Sequence, residues 1–431
     1  MRFDLLHPAD QLVMIMQRIY QYGLTTTSGG NLSIKDENGD IWITPSGVDK
    51  GSLLPSDMIQ VKPDGQIIGI HKPSVELPFH TNIYRLRPDL KSIVHAHPPA
   101  MIAFSLARQI PNVKLMPDVA LVCGDVGMAA YAVPGSDKLG QKLAETFVKG
   151  HNAVMMENHG CVVGAGDLFS AFMLFETLVF SGKLEMDAKK LGEPRVLDAE
   201  QLEAFRQPRH PALDEFIPTR FSSEERAARR DMCRFIHRSY DQRLFTSTQG
   251  TFSQRLGTNG SFVITPYNQD RKYMQPEDLV LIKNGMREAG KTPSRSVLLH
   301  EAIYKAHPDV GSVIIAHPPA IMAFAVTDAE FDSRLIPESY ISLRDVKKLP
   351  YFSSKMDIEG TVSAFSRKSP VLIIENECVL VTGKNLLNAF DRLEVLEYSA
   401  RALIDTGEIG PVVKISDSEV AEIEVDFHMN D

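Results

Sequence analysis

Of the 431 residues only four are cysteine, at Cys123, Cys161, Cys233 and Cys378, and none stands in a CxxC pair. That fits a reduced, cytoplasmic setting better than a disulfide framework. No run of about 18 apolar residues occurs, so no membrane span is expected. The start, Met1-Arg2-Phe3-Asp4, carries an early acid and no long apolar core, unlike a secretory signal. An excess of basic residues is also absent. Lys and Arg number 46 against 55 Asp and Glu, which leaves a formal charge of −9. A nucleic-acid surface needs clustered Lys and Arg, so no nucleic-acid partner is expected. A small anionic ligand stays compatible with this charge, because backbone N–H groups and a metal ion can hold one locally.

What the sequence does contain is an ordinary globular mixture, 43% hydrophobic and 23% charged, in a chain too long for one common core. Two domains of about 200 residues are the natural expectation. A tandem repeat supports it. Residues 80–104 (HTNIYRLRPDLKSIVHAHPPAMIAF) and 300–324 (HEAIYKAHPDVGSVIIAHPPAIMAF) agree at 13 of 25 positions at an offset of 220. Ile43-Thr44-Pro45 corresponds to Ile264-Thr265-Pro266, Pro73-Ser74 to Pro293-Ser294, and Glu157-Asn158 to Glu375-Asn376. A repeat of this length marks a duplicated structural unit. The stretch between the copies holds Pro194, Pro208, Pro211 and Pro218 around one short helical pattern at 199–206. The expected division is a first domain at 1–195, a linker at 196–220 and a second domain at 221–431.

Within the first copy, apolar spacing predicts helices at 10–22, 77–87, 136–149 and 167–190. Strands are expected at 41–44, 58–61, 92–97 and 153–156. This is an α/β pattern whose strand ends feed loops, where functional side chains concentrate.

His95-Ala96-His97 closes one such strand. Alternate strand residues share a face, so the two imidazoles stand side by side, as two ligands of one metal would. An HxH pair alone is more often two strand histidines than a metal site. His159, in Glu157-Asn158-His159-Gly160, follows the second core strand and supplies a third candidate ligand. Three histidines and an open position describe a catalytic rather than a structural zinc site. The second copy sharpens the reading. It has Ile315 for His95 and Glu377 for His159, and keeps only His317. The fold therefore does not need these histidines. Glu76 precedes the helix that leads into the HxH strand, and Ser296 replaces it in the second copy. A carboxylate near a metal suits general acid/base work; the alternative is an acid favoured by the helix dipole. Two small-residue loops, Ser28-Gly29-Gly30-Asn31 and Thr44-Pro45-Ser46-Gly47, join Ser74 as a candidate anion cradle, although each alone is a common turn.

The ordered set SGGN, TPSG, PSxE, HAH and NHG resembles the class II aldolase/adducin family, which includes L-fuculose-1-phosphate and L-rhamnulose-1-phosphate aldolases. The resemblance spans nearly all of residues 5–190; the second half resembles the family in scaffold only. It implies two tandem three-layer α/β/α domains, each with a largely antiparallel central sheet. It implies zinc, or Mn2+, Co2+ or Fe2+, on His95, His97 and His159, with Glu76 as the acid/base. Gly30, Asn31, Ser46, Gly47 and Ser74 match positions that bind substrate phosphate. One departure is Val75, where family members often carry a second serine. The implied reaction is carbon–carbon cleavage of a carbohydrate through a metal-stabilised enediolate. Decarboxylation or epimerisation of a sugar acid or sugar phosphate is an alternative, and non-catalytic adducin-like binding a second. Family members borrow a tyrosine from a neighbouring subunit in a four-fold ring. The first copy lacks one near 110–115, whereas the second has Tyr340. A homodimer imitating a ring of four domains, with Tyr340 as donor, is the matching expectation.

Overall fold

The computed structural model describes residues 2–206, 210–257 and 260–429. The chain divides into two compact units. One holds Arg2–Lys114 and Asp118–Lys183; the other holds Leu184–Asp431 together with the short stretch Leu115–Pro117.

In the first unit the strands are β1 (Asn31–Lys35), β2 (Ile41–Ile43), β3 (Ile59–Val61), β4 (Ile67–Ile68), β5 (Ser92–Ala96), β6 (Val126–Ala129), β7 (Ala153–Met156) and β8 (Gly160–Ala165). Their order across the sheet is β4-β3-β2-β1-β5-β8-β7-β6. Among the described residues every neighbouring pair is antiparallel except β6 with β7. The helices expected from periodicity are present at Pro8–Gln21, Leu77–Leu86, Asp137–Val148 and Leu168–Leu191, each within a residue or two of the expected ends. Two further helices, Pro99–Ala107 and Pro117–Cys123, were not anticipated.

Local chemistry explains where these helices begin. His7 accepts from the Ala9 N–H ahead of Pro8, and Ser136 accepts from the Leu139 N–H. Both satisfy donors that a first turn leaves open. The helix Pro8–Gln21 buries Leu12, Ile15, Met16 and Ile19, about 1.5–3 kcal/mol for each large side chain. Its Arg18 is also buried, with the guanidinium 4.6 Å from the Phe172 ring centroid. Strands β5 and β7 are buried at every residue. A strand buried on both faces has layers on both sides, as the three-layer arrangement requires.

The second unit repeats the plan. Its strands are β9 (Glu215–Phe216), β10 (Thr251–Leu256), β11 (Ser261–Ile264), β12 (Val280–Lys283), β13 (Met286–Glu288), β14 (Ser312–Ala316), β15 (Val346–Leu349), β16 (Val371–Ile374) and β17 (Cys378–Gly383). The order is β15-β16-β17-β14-β10-β11-β12-β13-β9, with parallel pairing only at β15–β16 and β13–β9 among the described residues. Each unit is thus an α/β region with a mixed, largely antiparallel sheet flanked by helices.

The residues expected as a linker, 196–220, include 207–209, which lie outside the described residues. The remainder is ordered within the second unit. The helix Ala199–Arg206 buries Phe205 against Phe352 and under the Lys355 ammonium, and β9 extends the sheet at β13. Among the described residues no helix is long and apolar enough to cross a membrane.

Candidate metal centre and active site

Sheet register assembles the centre. Asn31 of β1 lies opposite His95 of β5, and β5 pairs on its other side with β8. Strands β7 and β8 form a hairpin whose last pair is Met156 with Gly160, so His159 sits in its turn beside the end of β5. Asn158 holds that turn with φ +55°, and Asn376 does the same at φ +52° in the second unit. Gly160 is required for contact. A Cβ there would come 2.7 Å from the Ala96 carbonyl oxygen and 3.0 Å from the His97 ring.

The ring centroids of His95 and His97 are 4.7 Å apart, and each lies 5.0 Å from that of His159. One nitrogen from each of the three comes within 4.8 Å of the others. His95 Nδ1 donates to the Cys161 carbonyl oxygen at 2.9 Å. That bond holds the ring with Nε2 turned toward the cluster, the usual way a ligand imidazole is oriented. His95 Nε2 and His97 Nε2 are 3.0 Å apart.

Glu76 occupies the N-cap position of the helix Leu77–Leu86, but its side chain makes no cap hydrogen bond. The carboxylate turns into the cluster instead. Oε2 lies 3.1 Å from His95 Nε2 and accepts from Asn31 Nδ2 at 2.7 Å. Oε1 lies 3.6 Å from His159 Nε2 and is buried without a hydrogen-bond partner. A buried carboxylate oxygen left without a donor is costly unless something binds there. Three inward-facing imidazoles and this orphaned oxygen fit a divalent cation and a proton-transfer group beside it.

Electrostatics agree. Burial opposes ionisation of Glu76, but His95 and His159 and the hydrogen bonds from His95 and Asn31 outweigh it and hold the carboxyl below its ordinary range. Burial likewise opposes charge on His95, yet the facing Glu76 carboxylate holds that ring above the usual histidine value. His97 is pushed down to about 3 by burial and by His95 and His159, and His159 to about 4 by burial and by His95. Those two rings are neutral, as metal ligands must be.

The remaining expected residues divide. Asn31 is buried and its amide is committed at both ends, Nδ2 to Glu76 and Oδ1 to His80 Nε2 at 2.5 Å. Gly30, at φ +72°, backs onto the metal strand; a Cβ there would meet the His95 carbonyl oxygen at 2.7 Å. Ser46, Gly47 and Ser74 are brought together by an isolated bridge between Pro45 and Pro73. Ser46 N–H donates to the Lys72 carbonyl and Ser74 N–H to the Thr44 carbonyl. Lys50 braces this loop from below, its ammonium donating to the Pro45 carbonyl, and burial lowers its pKa to about 8. Tyr340 lies in the second unit with its hydroxyl donating to Glu424 Oε1 at 2.8 Å. His80, Ser33 and Tyr84 were not anticipated. Their signal in the sequence is their recurrence as His300, Ser253 and Tyr304.

In the second unit Ile315 faces Thr251 as His95 faces Asn31. Glu377, in place of His159, accepts from Ser354 Oγ and Lys355 Nζ, each at 2.7 Å. Thr251, Ser294 and Ser296 form a chain of hydroxyls, 2.9 and 3.0 Å apart, where the first unit has Asn31, Ser74 and Glu76. A lysine therefore neutralises the carboxylate at the position a ligand imidazole holds in the first unit. Among the described residues His95, His97 and His159 form the one cluster suited to a metal.

The family model for the class II aldolase and adducin N-terminal domain matches residues 10–186 and again 230–404. The chain belongs to the class II aldolase and adducin family. Among curated relatives, the 5-deoxy-D-ribulose 1-phosphate aldolase of Bacillus thuringiensis is 32% identical over 197 residues, 45% of this chain and 91% of that protein. The 3-oxo-tetronate 4-phosphate decarboxylase of Escherichia coli is 32% identical over 179 residues, 41% of this chain and 84% of that protein. A solved L-fuculose 1-phosphate aldolase shares 32% identity over 46% of this chain and 93% of its own, with a TM-score of 0.42. Family membership and the histidine cluster make this protein a metal-dependent lyase of the class II aldolase type.

Proposed function

We propose that the protein cleaves the carbon–carbon bond of a ketose 1-phosphate by a retro-aldol reaction. Residues 1–195 are the working domain, 196–220 the connection and 221–431 a degenerate second copy. The observation that carries this reading is the Glu76 carboxylate beside three imidazoles, with Oε1 left open. His95, His97 and His159 would hold a divalent ion, which supplies Lewis-acid withdrawal of charge from a carbonyl oxygen. Glu76 is ionised at rest. In the synthetic direction it takes a proton from the carbon beside the ketone; in cleavage the proton released by the substrate hydroxyl must first reach Glu76, which then delivers it to that carbon. Ser46, Gly47 and Ser74 are the proposed phosphate contacts. Tyr340, whose hydroxyl donates to Glu424 Oε1 at 2.8 Å within its own chain, is the proposed group for the aldehyde-side proton, contributed from a neighbouring chain. We also propose that two chains associate, so that four domains complete the working assembly.

The similarity to 3-oxo-tetronate 4-phosphate decarboxylases supports a second reading. Loss of carbon dioxide beside a ketone leaves the same carbanion, so the same carboxyl would protonate it. A panel of ketose 1-phosphates and phosphorylated 3-keto acids distinguishes the two. Dihydroxyacetone phosphate with an aldehyde is the expected product pair. Carbon dioxide from a keto acid, without ketose cleavage, would replace the aldolase reading.

A further inference from the structure

Behind Glu76 runs a line of buried polar side chains drawn from β1 and the helix Leu77–Leu86. Tyr84 Oη lies 2.7 Å from Ser33 Oγ, and Ser33 Oγ lies 2.7 Å from His80 Nδ1. His80 Nε2 lies 2.5 Å from Asn31 Oδ1, and Asn31 Nδ2 lies 2.7 Å from Glu76 Oε2. All five side chains belong to buried residues.

The direction of every bond follows from the carboxylate backwards. An ionised carboxylate only accepts, so Asn31 must present its NH2 to Glu76. Its carbonyl oxygen then faces His80 and also only accepts, so His80 carries its proton on Nε2. Nδ1 is left as an acceptor, and the Ser33 hydroxyl donates to it. Ser33 Oγ in turn accepts from the Tyr84 hydroxyl. Each donor points toward Glu76. The opposite His80 tautomer would turn the Asn31 amide over and set its oxygen against the carboxylate. The tautomer is thus coupled to the placement of Glu76 through one amide.

The second unit provides an internal control. Ser253 Oγ lies 2.7 Å from His300 Nδ1 and 2.7 Å from Tyr304 Oη, matching the first unit. Thr251 replaces Asn31 and Ser296 replaces Glu76, and the buried His300 Nε2 has no hydrogen-bond partner. The fold therefore keeps the Tyr–Ser–His trio in both copies. Only where a carboxylate serves the metal centre does the imidazole N–H reach anything.

We propose that His80 is a positioning residue for proton transfer. By holding its proton on Nε2 it fixes the Asn31 amide, which pins Glu76 Oε2 and leaves Oε1 for the carbon-bound proton. This rests on the acid/base reading of Glu76. The test uses the metal-replete full chain and dihydroxyacetone phosphate as probe, following exchange of its carbon-bound hydrogen with solvent deuterium by NMR. His80→Leu removes both ring contacts, and His300→Leu does the same in the matching pocket. The two variants should lose similar thermal stability. Only His80→Leu should slow the maximal exchange rate, by about 10–100-fold as for other outer-shell partners, with metal content and the KM for the probe retained. His80→Gln, whose amide can again donate toward Asn31, should recover part of the rate. Added to Glu76→Gln, His80→Leu should cost nothing further, since coupled groups are not additive.

Equal rate losses in the His80 and His300 variants would overturn the proposal, as would a loss that follows metal content or KM. If His80→Leu does not fold, Asn31→Asp gives the same answer, because it sets a second oxygen against Glu76 at unchanged volume. A rate like the wild type's would refute the positioning role. Normal exchange in Glu76→Gln would refute the acid/base reading itself, and absence of exchange in the wild-type protein would refute both.

Discussion

Replacing Glu76 by glutamine separates proton transfer from metal binding. The change is nearly isosteric, and the amide can keep its oxygen on Asn31 Nδ2, now 2.7 Å from Oε2. The three imidazoles and the bond from His95 Nδ1 to the Cys161 carbonyl are untouched. What is lost is the ability to accept a proton at neutral pH. General acid/base groups contribute about 10²–10⁴ in rate, or about 2.7–5.4 kcal/mol of barrier at 1.36 kcal/mol per tenfold. Turnover should fall by that factor with the ion still bound. A second consequence concerns pH. In the metal-free protein Glu76 holds the His95 pKa above its usual value, whereas His97 and His159 titrate only near 3 and 4. Below the His95 pKa an incoming ion must displace one proton, so its apparent Kd should rise about tenfold per pH unit. Without the Glu76 charge, His95 loses its stabilised proton, and the onset of this competition should move to lower pH. Elemental analysis, product formation, and zinc competition against a chelator from about pH 5.5 to 8 read the three effects. A loss under tenfold with metal retained refutes the assigned role. A slope of two or three protons in the same range refutes the account of the cluster.

Purified protein should hold about one divalent ion per chain by the three-ligand argument; His95→Ala with His97→Ala should remove it, and His317→Ala should leave it, as measured by elemental analysis. Gly160→Ala should destabilise the chain by about 1–3 kcal/mol in denaturant titration and loosen metal binding, because its Cβ meets the Ala96 carbonyl oxygen at 2.7 Å. Inorganic phosphate should compete with substrate if Ser46, Gly47 and Ser74 hold a phosphoryl group; no competition at millimolar levels, with rapid turnover of an unphosphorylated substrate, would remove that assignment. Light scattering should report a mass near twice the 48.0 kDa chain, and a monomer with full activity would end the two-chain proposal.

Much of the architecture is legible in the residues alone. Apolar spacing marks the helices because a 3.6-residue period must keep one face in the core. Short continuous apolar runs mark the buried strands, because both faces of β5 and β7 are covered. The duplication exposes itself by an offset that stays close to 220, and it also separates chemistry from scaffold: Ile315, Glu377 and Ser296 could not replace His95, His159 and Glu76 if the fold required them. His95-Ala96-His97 places two imidazoles together through strand geometry, which is local. The rest depends on contacts that no local pattern encodes. Glu76 has the sequence signature of a helix-dipole acid, yet its side chain turns into the cluster because Asn31 and His95, on β1 and β5, wait there to receive it. Asn31 looks like a turn residue free to bind an anion, but register sets it opposite His95 and both ends of its amide are taken. His80 and Tyr84 look like ordinary positions on a helix, and the serine that joins them lies on a strand more than forty residues earlier. The residues at 199–206 read as a helix within a linker, but burial of Phe205 in the second unit makes them part of its structure. Period and propensity act over a few residues, whereas the partner of a buried donor is fixed only when the sheet closes and brings distant strands into register.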